Sequence, residues 1–205
     1  IGMPGDTVKC CTAQGQLSVN GVALDESGYL KKYGTPGHPR ELERGRHHVV
    51  NFFAGMDDRL GAVADHMADE LTSRRYKTAL VVTGGGSVRR NGVYDQVVKA
   101  LEGRDWVEFW GIEPNPSVET VREAIALGRE HGSEFLLAVG GGSVIDGTKL
   151  IAAGLLYDGD PWEIVLKGQA DKTVPLGTVL TMSATGSEMN NGSVISCHET
   201  KEKFP

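Results

Sequence analysis

The sequence predicts an α/β fold: a parallel sheet with helices on both faces and a C-terminal β-hairpin region, preceded by a short β-rich fragment. Three observations predict it. From about residue 52, apolar runs of strand length alternate with helix-length segments, which is the pattern of a parallel sheet covered on both faces. Gly-Gly-Gly-Ser occurs twice, at Gly84-Gly85-Gly86-Ser87 and Gly140-Gly141-Gly142-Ser143, each time directly after an apolar run. The first 50 residues lack this alternation and carry only short β-type runs.

The elements follow in order. Thr7–Cys10 and Leu17–Val19 read as two short strands, with Gln14-Gly15 between them and Asn20-Gly21 after them. Residues 34–50 hold a Gly/Pro cluster and a charged run, and read as a junction without a fold of its own. A helix is expected from Asp58 to Leu71, with Leu60, Val63, Ala64, Met67 and Leu71 on one stripe. Thr78–Val82 reads as a strand running into the first glycine turn. A helix over about 93–101 carries Val97, Val98 and Leu101 inward, and Trp106–Trp110 is the next strand. The prolines of Glu113-Pro114-Asn115-Pro116 mark a fixed turn. Ser117 is the expected N-cap of a helix with Glu119 in its first turn, ending near Gly132. Phe135–Val139, the second glycine turn and a helix to about Leu156 complete a Rossmann-like unit. After Asp158-Gly159-Asp160-Pro161 the pattern changes. Val174–Thr181 reads as a strand, and Ser193–Cys197 as a strand entering a hairpin through His198-Glu199-Thr200, with a returning strand expected at the end of the chain.

Composition narrows the function classes. At 205 residues, 40% hydrophobic and 23% charged, the chain has the balance of a soluble globular protein able to bury a core. A net charge of −6 gives no footprint for nucleic acid. No apolar stretch approaches the ~20 residues of a membrane span. Cys10, Cys11 and Cys197 make no disulfide framework, and a cytoplasmic location is the expectation. Neighbouring Cys10 and Cys11 on a strand would point to opposite faces and share no ligand.

A glycine turn between a buried strand and a helix lets backbone N–H groups approach a phosphate, with the positive end of the helix dipole behind them. Neither copy is the G-x-G-x-x-G fingerprint, and a single Gly-Gly-Gly-Ser also reads as no more than a tight turn. Two in one α/β pattern point to a nucleotide cofactor.

Three motifs in series go further: Glu113-Pro114-Asn115-Pro116, then Gly140-Gly141-Gly142-Ser143-Val144-Ile145-Asp146-Gly147-Thr148-Lys149, then Thr181-Met182-Ser183-Ala184-Thr185-Gly186-Ser187-Glu188. Over about residues 57–203 the chain resembles the iron-type (group III) alcohol dehydrogenases, and among them the butanol dehydrogenases and broad aldehyde reductases. The resemblance implies a cofactor site. Gly140, Gly141, Gly142 and Ser143 would hold the pyrophosphate. Thr181, Met182, Thr185 and Ser187 would line the adenine and nicotinamide-ribose side. Asn115 would sit near the adenosine half. Asp146 and Lys149 match the family's D-x-x-K, and Asp146 would join the cofactor-binding set. Read from the residues alone, Asp146 is equally a first-turn carboxylate favoured by the helix dipole, and Lys149 a solvated residue or its i,i+3 partner. Glu188 reads as a structural hydrogen-bonding residue.

The first turn bears on cofactor choice. NAD sites place a carboxylate after a strand to accept the ribose 2′-OH. In NAD-using members of the family an Asp follows the early strand, and Gly84 stands there in this chain. The N–H groups of Gly84, Gly85 and Gly86 and the Ser87 hydroxyl can bond a 2′-phosphate, and Arg89 and Arg90 are near enough in sequence to add charge, unless they are simply solvated. The expectation is NADP(H).

The resemblance further implies a divalent metal, iron or zinc, held by an Asp and three His in a helical domain of the full-length enzyme. It also implies small alcohol or aldehyde substrates and a homodimer. None of His38, His47, His48, His66, His131 and His198 matches a family ligand, so residues 51–205 are expected to be a truncated dinucleotide-binding domain without catalytic or metal residues. Residues 1–33 are read as a separate fragment. Within them Ile1-Gly2-Met3-Pro4-Gly5-Asp6-Thr7-Val8 and Val19-Asn20-Gly21-Val22-Ala23-Leu24-Asp25-Glu26 resemble the β-rich segment that follows the catalytic lysine of bacterial signal peptidase I, and the chain reads as a chimera. A signal peptidase fragment and a non-catalytic nucleotide-binding module remain the alternative functions.

Overall fold

The computed structural model describes residues 76–182 and 184–205, together with four short strands nearer the N-terminus. Contacts divide the chain into two units, residues 1–40 and 41–205.

In the first unit, β1 (Val8–Cys10), β2 (Leu17–Val19) and β3 (Val22–Ala23) form an antiparallel sheet in that order. Val19 pairs with Val22. The third strand is additional to the two expected.

The second unit is built on a five-stranded sheet. β4 (Val49–Phe53) pairs with β8 (Leu176–Leu180), β8 with β7 (Phe135–Gly140), β7 with β5 (Thr78–Thr83), and β5 with β6 (Asp105–Trp110). Every pairing is parallel. The strand residues alternate between two cores, as period two requires. Leu80, Val82, Leu136 and Ala138 join one, with α3 (Val118–His131), α4 (Gly142–Gly154) and α5 (Pro161–Lys167). Ala79, Val81, Leu137 and Val139 join the other, with α1 (Ser87–Arg90) and α2 (Val93–Ala100). All six residues of β7 are buried, which is why it reads as one apolar run.

The caps match the residues that set them. The Ser117 hydroxyl accepts from the Thr120 N–H at 3.3 Å, and Gly132 closes α3 in the left-handed region at φ 67°. A hairpin of β9 (Ile195–Cys197) and β10 (Glu202–Phe204) ends the chain, with the expected returning strand present. Glu119 ties it to α3, accepting from the N–H groups of His198 at 3.0 Å and Glu199 at 3.3 Å.

Two elements of the second unit differ from the expectation. β4 begins inside the segment read as a junction: Val49 and Val50 pair with Leu176 and Gly177. Five residues after a charged run are too few to show a period. α5 was not expected. Its signal is nonetheless local: Asp160 caps it, accepting from the Trp162 N–H at 2.8 Å, Pro161 takes the first helical position and Gly168 closes it. Arg122 holds Asp160 bidentately at 2.9 and 3.0 Å, fixing α5 to α3. The helix expected at 58–71 lies outside the described residues. No helix among the described residues is long and apolar enough to cross a membrane.

Candidate functional site

The strand order β4-β8-β7-β5-β6 contains one reversal. The chain leaves β5 toward β6 on one side, and leaves β7 toward β8 on the other. The loops at these two C-terminal ends therefore diverge and leave a crevice, the usual ligand position in an open α/β sheet. Both glycine turns are there. Thr83 pairs with Val139, so the turns after β5 and β7 lie side by side. The end of β8 is the third wall, where the Thr181 N–H donates to the Gly140 carbonyl at 3.0 Å.

At the second turn, packing requires glycine. A Cβ on Gly140 would stand 2.6 Å from Val144 Cγ2, and one on Gly142 would stand 2.8 Å from Thr185 Oγ1 and 3.1 Å from Ser187 Oγ. Glycine lets α4 fold back onto β7 and lets the 185–187 turn rest against the helix start. The Thr185 and Ser187 hydroxyls are 2.9 Å apart. Met182 is 67% exposed and flanks Gly141, at 3.8 Å from the position of its Cβ. Ser143 is half-buried in the first turn of α4. Among the described residues no side chain caps α4, and no acid stands in its first turn. A helix of 13 residues thus presents first-turn N–H groups and the positive end of its dipole to the crevice, a fit for a phosphate group.

The first turn is built differently. It leads into α1, a single turn of four residues, so the dipole argument that serves the second turn does not extend to it. A Cβ on Gly84 would stand 3.2 Å from both the Ile112 carbonyl oxygen and Val144 Cγ2, so Val144 wedges between the two turns. Gly85 faces open space, with nothing within 4 Å, and Ser87 is exposed. Gly86 has φ 102°, and Arg90 Nη1 and Trp110 Cζ2 lie 3.5 and 3.6 Å from where its Cβ would be. Arg89 is committed elsewhere. Its guanidinium lies 4.1 Å over the Trp110 ring and 4.8 Å over Tyr94, and 3.7 Å from the Glu108 carboxylate. Tyr94 Oη donates to Glu108 at 2.8 Å; burial first, then this carboxylate, push the Tyr94 hydroxyl above its ordinary range.

The remaining predicted residues are held by polar contacts of their own. Asp146, 9% exposed, accepts from the Val194 N–H at 3.2 Å, while its backbone carbonyl accepts from Ser193 Oγ at 2.6 Å. Its other carboxylate oxygen is 3.7 Å from Lys149 Nζ, the i,i+3 pairing expected. Lys149 donates to Asn190 Oδ1 at 3.1 Å and the Gly192 carbonyl at 2.6 Å. Burial lowers the Lys149 ammonium from its usual range, and the charges of Asp146 and Glu188 oppose that shift. The D-x-x-K pair thus pins residues 190–194 to α4. Glu188 is buried. Asn115 is exposed at φ 58° and accepts from Lys203 Nζ at 2.7 Å. Below it, Glu113 accepts from the Ser117 N–H and the Thr120 hydroxyl, both at 3.0 Å. Burial alone would raise the Glu113 carboxyl, but these bonds outweigh it and hold the group below the ordinary carboxylate range.

Sequence reasoning missed Val144 and the Arg89–Tyr94–Glu108–Trp110 cluster. Glu108, a charge inside an otherwise apolar strand core, was the available signal for the cluster. Among the described residues no three His, Cys, Asp or Glu side chains group as a metal site. Cys197 is a buried free thiol.

Comparison with known proteins agrees with this fold. The probable NADH-dependent butanol dehydrogenase 1 of Bacillus subtilis is 57% identical over 131 residues, covering 62% of this chain and 34% of the relative. The NADPH-dependent aldehyde reductase YqhD of Escherichia coli is 54% identical over 128 residues, covering 60% and 33%. The crystal structure of NADH-dependent butanol dehydrogenase A from Thermotoga maritima matches at a TM-score of 0.68 and 41% identity, covering 75% of this chain and 38% of that one. The chain spans about a third of the length of the curated relatives it matches. The profile of the iron-containing alcohol dehydrogenases matches residues 60–205, and the chain belongs to that family.

Proposed function

We propose that residues 51–205 are the cofactor-binding part of a cytoplasmic, NADP(H)-dependent alcohol dehydrogenase acting on small alcohols and aldehydes, homodimeric at full length. The observation that carries the reading is the start of α4, uncapped among the described residues, set in the second glycine turn at the sheet's reversal and beside the first. A nicotinamide cofactor bound there supplies the hydride acceptor or donor. Gly140–Ser143 would hold its pyrophosphate through backbone N–H groups and the dipole of α4. Thr181, Met182, Thr185 and Ser187 form the adjoining wall, which excludes water from the bound cofactor. Gly84–Ser87 would take the adenosine ribose end, where the absence of a carboxylate at residue 84 favours a 2′-phosphate. Asn115 would border the adenosine side. Asp146 and Lys149 would serve at one remove, by holding residues 190–194. The relatives divide by name between NADH and NADPH, so the choice of NADP(H) rests on this chain's own first turn. The described residues do not fit a metal site. An iron or zinc that would polarise the substrate oxygen would be held in the helical domain of the full-length enzyme. Residues 1–33 are proposed to be a signal-peptidase-like fragment joined to this domain.

The test is a fluorescence titration of the purified chain with NADPH, and with NADH in parallel. Saturable binding that favours NADPH is expected. A folded chain that binds neither would overturn the cofactor reading.

A further inference from the structure

We propose that Arg90 reads the 2′-phosphate at the first glycine turn, and that Arg89 is a positioning residue that neutralises Glu108 beneath the same turn. The inference rests on the NADP(H) reading above and divides between two neighbouring arginines a role that their sequence leaves shared.

The two side chains have different surroundings. Arg89 is spoken for: Trp110 lies under its guanidinium at 4.1 Å, Tyr94 is 4.8 Å away, and Glu108 is 3.7 Å away. Arg90 is exposed, with no carboxylate or hydrogen-bond partner among the described residues. It folds back over the turn, with Nη1 3.5 Å from the position a Cβ on Gly86 would take. The glycine at φ 102° keeps that space clear. A planar guanidinium with free donors beside an open glycine turn is suited to bidentate contact with a phosphate.

Glu108 explains why a second arginine is needed. It accepts from Tyr94 Oη at 2.8 Å and from Thr83 Oγ1 at 3.4 Å, and Thr83 is the residue before Gly84. Left alone, that carboxylate would repel a dianionic 2′-phosphate at the turn. Arg89 cancels its charge, and Arg90 then provides the net positive field at the mouth. Charge at the first turn is thus handled by two residues in different ways, one by contact and one by compensation.

The experiment measures NADPH and NADH dissociation constants by fluorescence titration of the whole chain, with thermal melting of each variant. Arg90→Gln is expected to weaken NADPH binding by at least about tenfold while NADH changes by less than about twofold. Arg90→Lys should recover part of the loss. Arg89→Gln should weaken NADPH by about three- to tenfold, and adding Glu108→Gln should restore it, since the repelling charge is then gone. Glu108→Gln should give no rescue of Arg90→Gln. If Arg90→Gln leaves the NADPH-to-NADH ratio unchanged in a chain that binds both, the assignment of Arg90 is wrong although the cofactor site stands. If Glu108→Gln does not rescue Arg89→Gln, the compensating role of Arg89 is wrong. A folded parent chain that binds neither nucleotide removes the cofactor site and this inference together.

Discussion

The turns after β5 and β7 share the letters Gly-Gly-Gly-Ser, but different constraints keep them glycine. After β7, the constraint is volume: Val144, Thr185 and Ser187 occupy the space that side chains on Gly140 and Gly142 would need. After β5, volume bears only on Gly84, whose Cβ would stand 3.2 Å from Val144 and the Ile112 carbonyl; beyond it the constraint is conformation and access, since Gly86 holds φ 102° and Gly85 meets nothing within 4 Å among the described residues. The second turn starts a 13-residue helix and the first a four-residue one. One can use a helix dipole to hold a phosphate; the other must rely on backbone N–H groups and side-chain charge. The comparison teaches that a repeated motif need not repeat its mechanism, because the motif specifies a sharp turn and the surroundings specify its use.

The largest effect that could break this contrast is on stability. Gly140→Ala should destabilise by about 1–3 kcal/mol, since its methyl would overlap Val144 and force α4 away from β7. Thermal or urea unfolding measures it, and a wild-type-like midpoint would mean that the second turn is not packing-locked. A middle-sized effect concerns the Glu113 loop. Ile112 from that loop abuts both Gly84 and Gly147 of α4, linking the first turn to that helix. Because the folded Glu113 carboxyl is held below its ordinary range, its contribution is complete above the unfolded carboxylate range and is lost as pH falls through the folded value. Glu113→Gln should cost about 1 kcal/mol at pH 7, given partial exposure, and the difference from the parent should shrink in acid. Urea midpoints at neutral and acid pH test this; a pH-independent difference would contradict it. The smallest stability effect is expected from Gly85→Ala, within about 0.5 kcal/mol, because its methyl meets nothing. The same change should weaken NADPH binding, so unchanged affinity would place the ligand away from the first turn.

Legibility followed the range of each interaction. α3 was readable at both ends because Ser117 and Gly132 act on backbone within a few residues of themselves. β5 and β7 were readable because a strand buried on both faces must be apolar throughout. α5 carried a readable Asp-Pro start in a segment whose changed pattern drew no helix expectation. β4 was hidden because five residues beside a charged run hold too little pattern to stand out. Within the site, the glycines and Thr185 and Ser187 were named from motif, and the structure brings them together. Asn115 and Asp146 were also named, yet their carbonyl and carboxylate oxygens are engaged by Lys203 and by the Val194 N–H. No spacing rule could have disclosed those partners, which lie 88 and 48 residues away.

The chain's linear order therefore set where strands, helices and tight turns form, since periodicity, caps and glycine conformations act over a turn or two. It also placed phosphate-sized turns after two buried strands. Folding in three dimensions settled the rest: that β5 and β7 are neighbours at the sheet's reversal, that Val144 joins their turns, and that Arg89 meets a carboxylate while Arg90 meets none among the described residues. Those outcomes depend on contacts between residues brought together by sheet pairing and core packing, and such contacts leave no periodic trace along the chain.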